Sequence, residues 1–148
     1  MSTPRFNHVA LSVPGTLLGD AGRAEIVGFY GDVFGWEEMP TMTTPGRQLV
    51  LQAYTYDQFV FLVADDDPMR CPRTDHVGMA VDTLGELRTF QERARARAAV
   101  DDRVEVSDEE VEDFGFLRLH NFYVGFLLPL TVEVQHWDWA EGASPVPT

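Results

Sequence analysis

Two short segments of the chain repeat each other, and each carries a histidine at the same position. Phe6–Val13 reads FNHVALSV, and Thr74–Val81 reads TDHVGMAV. In both segments apolar residues alternate with small or polar ones, which predicts a β-strand with one apolar face. His8 and His76 fall on the opposite face beside small residues, which leaves room for a bound group. The duplication therefore predicts two copies of one structural module.

The first copy predicts the element order β-α-β-β-β. A helix is expected over about 23–33, because apolar residues recur there at spacings of three and four. Gly35 is well placed to end this helix in the left-handed conformation. The strands expected around the helix cover 6–13, 36–42, 48–54 and 58–64.

The second copy predicts the same order, with a helix at 84–99 and strands at 74–82, 103–107, 114–124 and 130–137. The modules span about 5–65 and 74–138, with a linker at 66–73 and a fraying tail of small residues and prolines at 142–148. We therefore expect a single α+β domain over 1–148. Its two tandem modules are predicted to form a curved eight-stranded sheet around a concave cavity, with the helices outside.

Composition narrows the classes of function. The net charge of −13 repels phosphate backbones and anionic bilayers, so neither nucleic acid nor a membrane is expected as a partner. The acidic runs at 65–67 and 101–113 are interpreted as solvated loops. No apolar run approaches the about 18–20 residues of a membrane span, and the N-terminus lacks a signal-peptide pattern. With Cys71 as the single cysteine, these features favour a cytoplasmic location.

A carboxylate joins the paired histidines as a candidate metal ligand. Overlaying the last strands of the two halves aligns Phe61 with Glu133, which lies between two valines. A carboxylate in an apolar strand is costly to bury unless it is paired, hydrogen-bonded or bound to a metal. In the expected sheet, His8, His76 and Glu133 face the same cavity. Two imidazoles and one carboxylate leave coordination positions open, as in Fe(II) oxygenases, and zinc or manganese accepts the same ligands.

At these motifs the chain resembles the vicinal oxygen chelate superfamily, which includes glyoxalases, ring-cleaving dioxygenases and bleomycin-resistance proteins. The resemblance spans about residues 5–138 and is carried by Asn7–Val13, Phe29-Tyr30 ahead of Gly35-Trp36, Asp75–Gly78 and Val132–Val134. It implies a divalent metal on His8, His76 and Glu133, with Fe(II) favoured and Zn, Mn or Ni as alternatives. It also implies a small-molecule substrate chelated through vicinal oxygens, and a homodimer in which the two histidines come from one chain or from two.

At Phe61 and Tyr123 the chain resembles the dioxygenase branch of the superfamily. Glyoxalases and epimerases have a further ligand or base where this chain has Phe61, and the dioxygenases have a tyrosine ten positions before the glutamate, as Tyr123 is. The stretch 126–129 departs from their Asp-Pro-x-Gly turn, and His120 lies closer to the tyrosine than their catalytic histidine does. The resemblance implies an enzyme most like a 2-His-1-Glu Fe(II) dioxygenase, with Tyr123 and His120 as candidate catalytic residues.

The same residues are compatible with other interpretations of the pocket and of the function. Phe59 and Phe61 share one face of their strand and are predicted either to form an apolar wall of a substrate pocket or to fill the core. His136 alternates away from Glu133 and is expected outside the cavity. The alternative function is a protein that sequesters a small antibiotic or toxin without catalysis, although the intact ligand set favours the enzyme. A degenerate member with a structural metal, or with none, is a third reading.

Overall fold

The computed structural model describes residues 1–145, which form two compact units. The first unit comprises residues 1–71 and 127–129, and the second comprises 72–126 and 130 onward. The predicted α+β class and the repeated module are confirmed, while the single-domain organisation stays a prediction. Of the predicted frayed tail, residues 146–148 lie outside the described residues, and the Ala143 N–H donates to the Ala140 carbonyl in a turn.

The first unit contains a four-stranded sheet and one long helix. Its elements are β1 (His8–Val13), α1 (Asp20–Phe34), β2 (Glu37–Glu38), β3 (Gln48–Gln52) and β4 (Phe59–Ala64), with 3-10 turns at Gly15–Leu18 and Pro40–Met42. The strand order is β1-β4-β3-β2, with β1 parallel to β4 and the other pairs antiparallel. The predicted strand at 36–42 is wrong beyond Glu38, because Pro40, which has no N–H to donate, begins a 3-10 turn.

Helix α1 ends where the sequence predicts. Gly35 adopts φ 73°, and its N–H is donated to the last turn of the helix. The apolar face of α1 is buried through Ile26, Phe29, Tyr30 and Val33. This buried face anchors the helix within the first unit.

The second unit contains a five-stranded sheet and one long helix. Its elements are β5 (His76–Val81), α2 (Leu84–Ala98), β6 (Glu105–Val106), β7 (Glu110–Asp113), β8 (Leu117–Gly125) and β9 (Thr131–Trp139). The strand order is β5-β9-β8-β6, and β7 also pairs with β8. Thr83 and Glu86 start α2 with a reciprocal capping box. Within residues 1–145, neither these two 15-residue helices nor any other helix is long and apolar enough to cross a membrane.

Strand β7 corrects the interpretation of the acidic run at 101–113 as a solvated loop. Residues 110–113 pair antiparallel with 118–121 of β8, although all four β7 side chains are exposed. A Glu- and Asp-rich segment has low β-propensity, so only its tertiary pairing makes it a strand. Among the described residues the structure therefore has nine strands in two sheets of four and five, rather than eight strands in one sheet.

The duplicated strands occupy equivalent places in the two sheets. Parallel pairing sets Ala10 opposite Phe61 in the first unit and Gly78 opposite Glu133 in the second. Ala10 and Gly78 each lie two residues after the repeated histidine. The backbone register thus confirms the sequence overlay of Phe61 on Glu133.

Candidate metal centre

Three neighbouring strands of the second unit bring His76, Tyr123 and Glu133 together. Glu133 of β9 pairs with Gly78 on one side and with Tyr123 of β8 on the other. The His76 Nε2 lies 3.1 Å from the Glu133 Oε2, and the two side chains are 37% and 5% exposed. Even a Cβ added at Gly78 would lie 3.7 Å from the Glu133 Oε2, so this position leaves space beside the carboxylate. The centre is thus a buried carboxylate with a half-exposed imidazole at its edge.

A chain of hydrogen bonds fixes the orientation of the Glu133 carboxylate. The Tyr123 hydroxyl donates to Oε1 over 3.1 Å, and the Gln135 Nε2 donates to Oε2 over 2.9 Å. The Trp137 Nε1 in turn donates to the Gln135 Oε1 over 3.0 Å. Gln135 and Trp137 are not among the residues predicted for the site from the sequence, although both share the strand parity of Glu133 on β9. Such outer hydrogen bonds orient a ligating carboxylate and tune its basicity.

In the neutral imidazole, the contacts of His76 leave its Nε2 with a lone pair that faces Glu133. The His76 Nδ1 lies 2.9 Å from the Thr74 carbonyl oxygen, which accepts a hydrogen bond and so assigns the ring proton to Nδ1. The 3.1 Å contact between Nε2 and Oε2 is satisfied either by a proton on Nε2, as an ion pair, or by a cation bound between the two atoms. Two ligand atoms bound at about 2.1 Å and at right angles to each other on one metal lie about 3.0 Å apart. The donor set therefore fits a divalent metal ion.

His8 has a matching local environment in the first unit. Its Nδ1 lies 2.8 Å from the Asn7 Oδ1, so the proton is again held on Nδ1 and Nε2 keeps its lone pair. Its ring stacks on Phe59, with centroids 4.9 Å apart and an interplanar angle of 5°. The residues at 1–145 contain no group of three or more His, Cys, Asp or Glu side chains arranged to hold a metal. That His8 joins His76 and Glu133 on one ion stays a prediction.

His120 lies on the opposite face of the second sheet from Glu133. It is three residues before Tyr123, so strand alternation points the two side chains to different faces. The His120 Nδ1 lies 2.9 Å from the Glu109 Oε1, and the Arg88 Nε of α2 donates to the Glu109 Oε2 over 3.0 Å. Arg88, and after it His120, lowers the pKa of Glu109 through these hydrogen bonds. His136 shares this face, with its ring centroid 6.1 Å from that of His120.

The two phenylalanines predicted as a pocket wall lie in the first unit. Phe59 and Phe61 are half-buried on β4, on the face that also carries His8. Their role as a substrate wall stays a prediction. In the second unit a shallow depression of about 250 Å³ adjoins Tyr123 and Thr131, with the Arg73–Glu105 ion pair at its rim. It is smaller than the about 300–1,000 Å³ of typical ligand pockets.

Burial raises the pKa of Tyr123 to about 12, and the hydrogen bond to Glu133 and the nearby negative charges add to this effect. In metal-free protein we expect Tyr123→Phe to remove one phenol ionisation with a midpoint near pH 12. The pKa of Tyr123 in the folded protein lies above its ordinary value of 10.0. The contribution of the protonated phenol to the free energy of unfolding is therefore complete below pH 10.0 and is lost as the pH rises through the folded pKa. A pH-jump titration followed by near-ultraviolet absorbance measures it. Tyr54→Phe, an exposed control, should keep this ionisation; its loss there would contradict the assignment to Tyr123.

No protein-family model matches the chain, and no curated protein matches it either. Solved structures match over nearly its whole length. A lactoylglutathione lyase from Agrobacterium tumefaciens has a TM-score of 0.61 and 19% identity, over 92% of this chain and 96% of that one.

Two further matches are resistance-related proteins. A variant of the fosfomycin resistance protein FosX from Listeria monocytogenes, complexed with Mn(II) and 1S,2S-dihydroxypropylphosphonic acid, has a TM-score of 0.59 and 16% identity, over 90% of each chain. A glyoxalase/bleomycin resistance protein/dioxygenase from Nocardioides has a TM-score of 0.59 and 17% identity, over 100% of this chain and 91% of that one. These likenesses confirm the fold of the vicinal oxygen chelate superfamily that the sequence motifs predict, and at such identities they show the fold alone.

Proposed function

We propose that the protein is a metal-dependent enzyme whose small organic substrate is chelated through vicinal oxygens, with His8, His76 and Glu133 as the metal ligands. The observation that carries this proposal is the 3.1 Å approach of the His76 Nε2 to the Glu133 Oε2. Keeping Glu133 almost fully buried between two hydrogen-bond donors is costly, and a cation beside it offsets that cost. The Mn(II) complex of FosX, which has the same fold, supports a divalent metal.

The reaction class we favour is that of a 2-His-1-Glu dioxygenase, with Fe(II) preferred over Zn, Mn or Ni. When bound, such an ion supplies Lewis-acid polarisation of the substrate oxygens and, as Fe(II), a position for dioxygen. The chain's own part is to orient the ligands. Tyr123 donates to the Glu133 Oε1 and Gln135 donates to its Oε2, which orients the carboxylate with Oε2 towards His76.

Tyr123 is the residue that we propose for proton handling at the substrate. Its hydroxyl is already within hydrogen-bond distance of the Glu133 Oε1, and its raised pKa keeps the phenol protonated and able to donate at neutral pH. We leave His120 out of the proposed catalytic set, because its ring bonds Glu109 on the opposite face of the sheet.

Elemental analysis of protein purified without a histidine tag tests the proposal. After anaerobic incubation with Fe(II), Mn(II), Ni(II) or Zn(II) we expect about one ion per chain, bound through two imidazoles and one carboxylate. His8→Ala and His76→Ala should each remove the ion, and His136→Ala, which changes a histidine on the opposite face, should not. A wild type that stays metal-free would contradict the proposed metal-dependent enzyme and favour a protein that sequesters a small molecule without catalysis. Oxygen uptake by the Fe(II)-loaded protein with a panel of catechols then tests the dioxygenase subtype.

A further inference from the structure

The sheet face that carries Glu133 continues into a strip of side chains that are not among the proposed metal ligands. Strand alternation puts Asn121 of β8 and Trp137 of β9 on this face. The pairing of β7 with β8 sets Glu110 opposite Asn121 and Glu112 opposite Leu119, so both glutamates share the face. We call Glu110, Glu112, Asn121 and Trp137 the acidic strip.

The two glutamates of the acidic strip carry uncompensated negative charge. Both are exposed, and the part of the chain that the structure describes puts no basic side chain in ion-pair contact with either. The arginines of neighbouring segments are engaged elsewhere, Arg88 with Glu109 and Arg118 with Asp113. A ligand with a positive charge would therefore meet two free carboxylates at this place.

Trp137 supplies an aromatic surface on the same sheet face, with Leu119 of β8 between it and Glu112. Trp137 is 44% exposed, and its indole N–H donates a hydrogen bond to the Gln135 Oε1. The ring of Trp139 lies behind it, with centroids 5.7 Å apart. An exposed indole and exposed carboxylates on one sheet face together attract organic cations, because the ring face also carries partial negative charge.

Asn121 is the second, independent sign of a ligand. The residue is only 4% exposed, and its Oδ1 has no hydrogen-bond partner within residues 1–145. A buried acceptor without a donor is costly, and most such groups in folded proteins are satisfied. Strand register places Asn121 between Glu110 on β7 and Gln135 on β9, on the sheet face of the acidic strip.

We infer that the acidic strip binds the ammonium group and aromatic ring of an organic cation. The charge would lie between Glu110 and Glu112, an N–H would be donated to Asn121, and the ring would stack on Trp137. This inference rests on the proposed function in one respect, that the bound molecule is the substrate whose oxygens reach Glu133. Trp137 is four positions after Glu133 on β9, so the molecule would span about 13 Å. Phosphonates and other anions would be repelled.

A charge series of small probes tests the strip without any metal. The probes are 4-phenylbutylammonium, 4-phenylbutanol and 4-phenylbutyrate, which share one ring and chain and differ in charge. Binding is followed by tryptophan fluorescence and by calorimetry on the metal-free protein at low salt. We expect the ammonium probe to bind about tenfold more tightly than the alcohol, with butyrate the weakest. Equal binding of all three probes, or tighter binding of the butyrate, would overturn the inference.

Matched variants assign the preference to the strip. Glu110→Gln combined with Glu112→Gln should reduce the preference for the ammonium probe to about twofold or less. Glu92→Gln combined with Asp102→Asn removes the same charge from exposed positions on α2 and the loop after it, and should leave the preference intact. Trp137→Leu should weaken the binding of all three probes several-fold. If the two double variants behave alike, the preference reflects net charge and the strip is not the site.

Metal binding by the same variants separates this inference from the proposed function. The Glu110→Gln/Glu112→Gln protein should bind its divalent ion as the wild type does, because neither residue contacts His76 or Glu133. If the wild type prefers the ammonium probe but binds no metal, the binding site at the acidic strip is supported and the proposed metal-dependent enzyme is contradicted. If the wild type binds metal but has no such preference, the proposed function is supported and the binding site at the acidic strip is contradicted.

Discussion

Replacing Glu133 by glutamine should abolish the stabilisation of the protein by divalent metal while leaving the metal-free protein about as stable as wild type. The carboxylate is 5% exposed, and its desolvation is only partly offset by Tyr123, Gln135 and His76. A neutral amide fills the same volume, keeps a hydrogen bond from Tyr123 and avoids the buried charge. We expect the metal-free free energy of unfolding to change by no more than about 1 kcal/mol.

The metal-dependent part of the stability should behave in the opposite way. At a metal concentration of about 100 times Kd, the wild type should gain about 2.7 kcal/mol of unfolding free energy, and Glu133→Gln should gain nearly none. Urea unfolding with and without the ion measures both quantities. Glu110→Gln is the matched control, since it neutralises an exposed glutamate on the same sheet face and should keep the full gain. A full gain in Glu133→Gln would remove this residue from the ligand set.

The repeat made the topology predictable, because its register carried over from sequence to structure. The alignment of Phe61 with Glu133 required only the period of two along each strand and the parallel pairing of β1 with β4 and of β5 with β9. Strand β7 could not be foreseen in the same way. Its residues are acidic and exposed, so they form a strand only because β8 offers an unpaired edge, and no local pattern reports that.

The candidate site was predictable where strand parity decides it. The pairing of Tyr123 with Glu133 follows from an antiparallel hairpin, and the same parity puts His120, three residues before Tyr123, on the other sheet face. The role of Gln135 was not foreseeable, because an amide two residues from a carboxylate on a strand is common and becomes informative only once its hydrogen bond is seen. The tautomers of His8 and His76 likewise depend on the acceptors at Asn7 and Thr74.

The source of the third ligand decides whether a single chain can bind the ion. His76 and Glu133 belong to the second unit and His8 to the first. Homodimers with two-fold symmetry commonly place equivalent surfaces of two chains against each other, so His8 can complete the set of its own chain or that of a second copy. The two arrangements predict different results when two inactive variants are mixed.

A site shared between two chains gives a distinct result when His8→Ala is mixed with Glu133→Gln. His8→Ala and Glu133→Gln should each bind no ion alone. If the chains exchange after mixing in equal amounts, half of the dimers contain one of each variant, and one of the two sites in these dimers has all three native ligands. Metal binding should then return to about a quarter of the wild-type stoichiometry.

The control for this mixing experiment is a pair of variants within one unit. His76→Ala mixed with Glu133→Gln should restore nothing in either arrangement, because the two side chains lie 3.1 Å apart in one unit of the same chain and would serve the same site. Elemental analysis after co-refolding, with exchange verified by a mass label on one variant, gives the stoichiometry. Verified exchange with no recovered metal would place all three ligands in one chain. Since each shared site would need two chains, the shared arrangement also requires the metal stoichiometry of wild type to fall on dilution below the dimer dissociation constant.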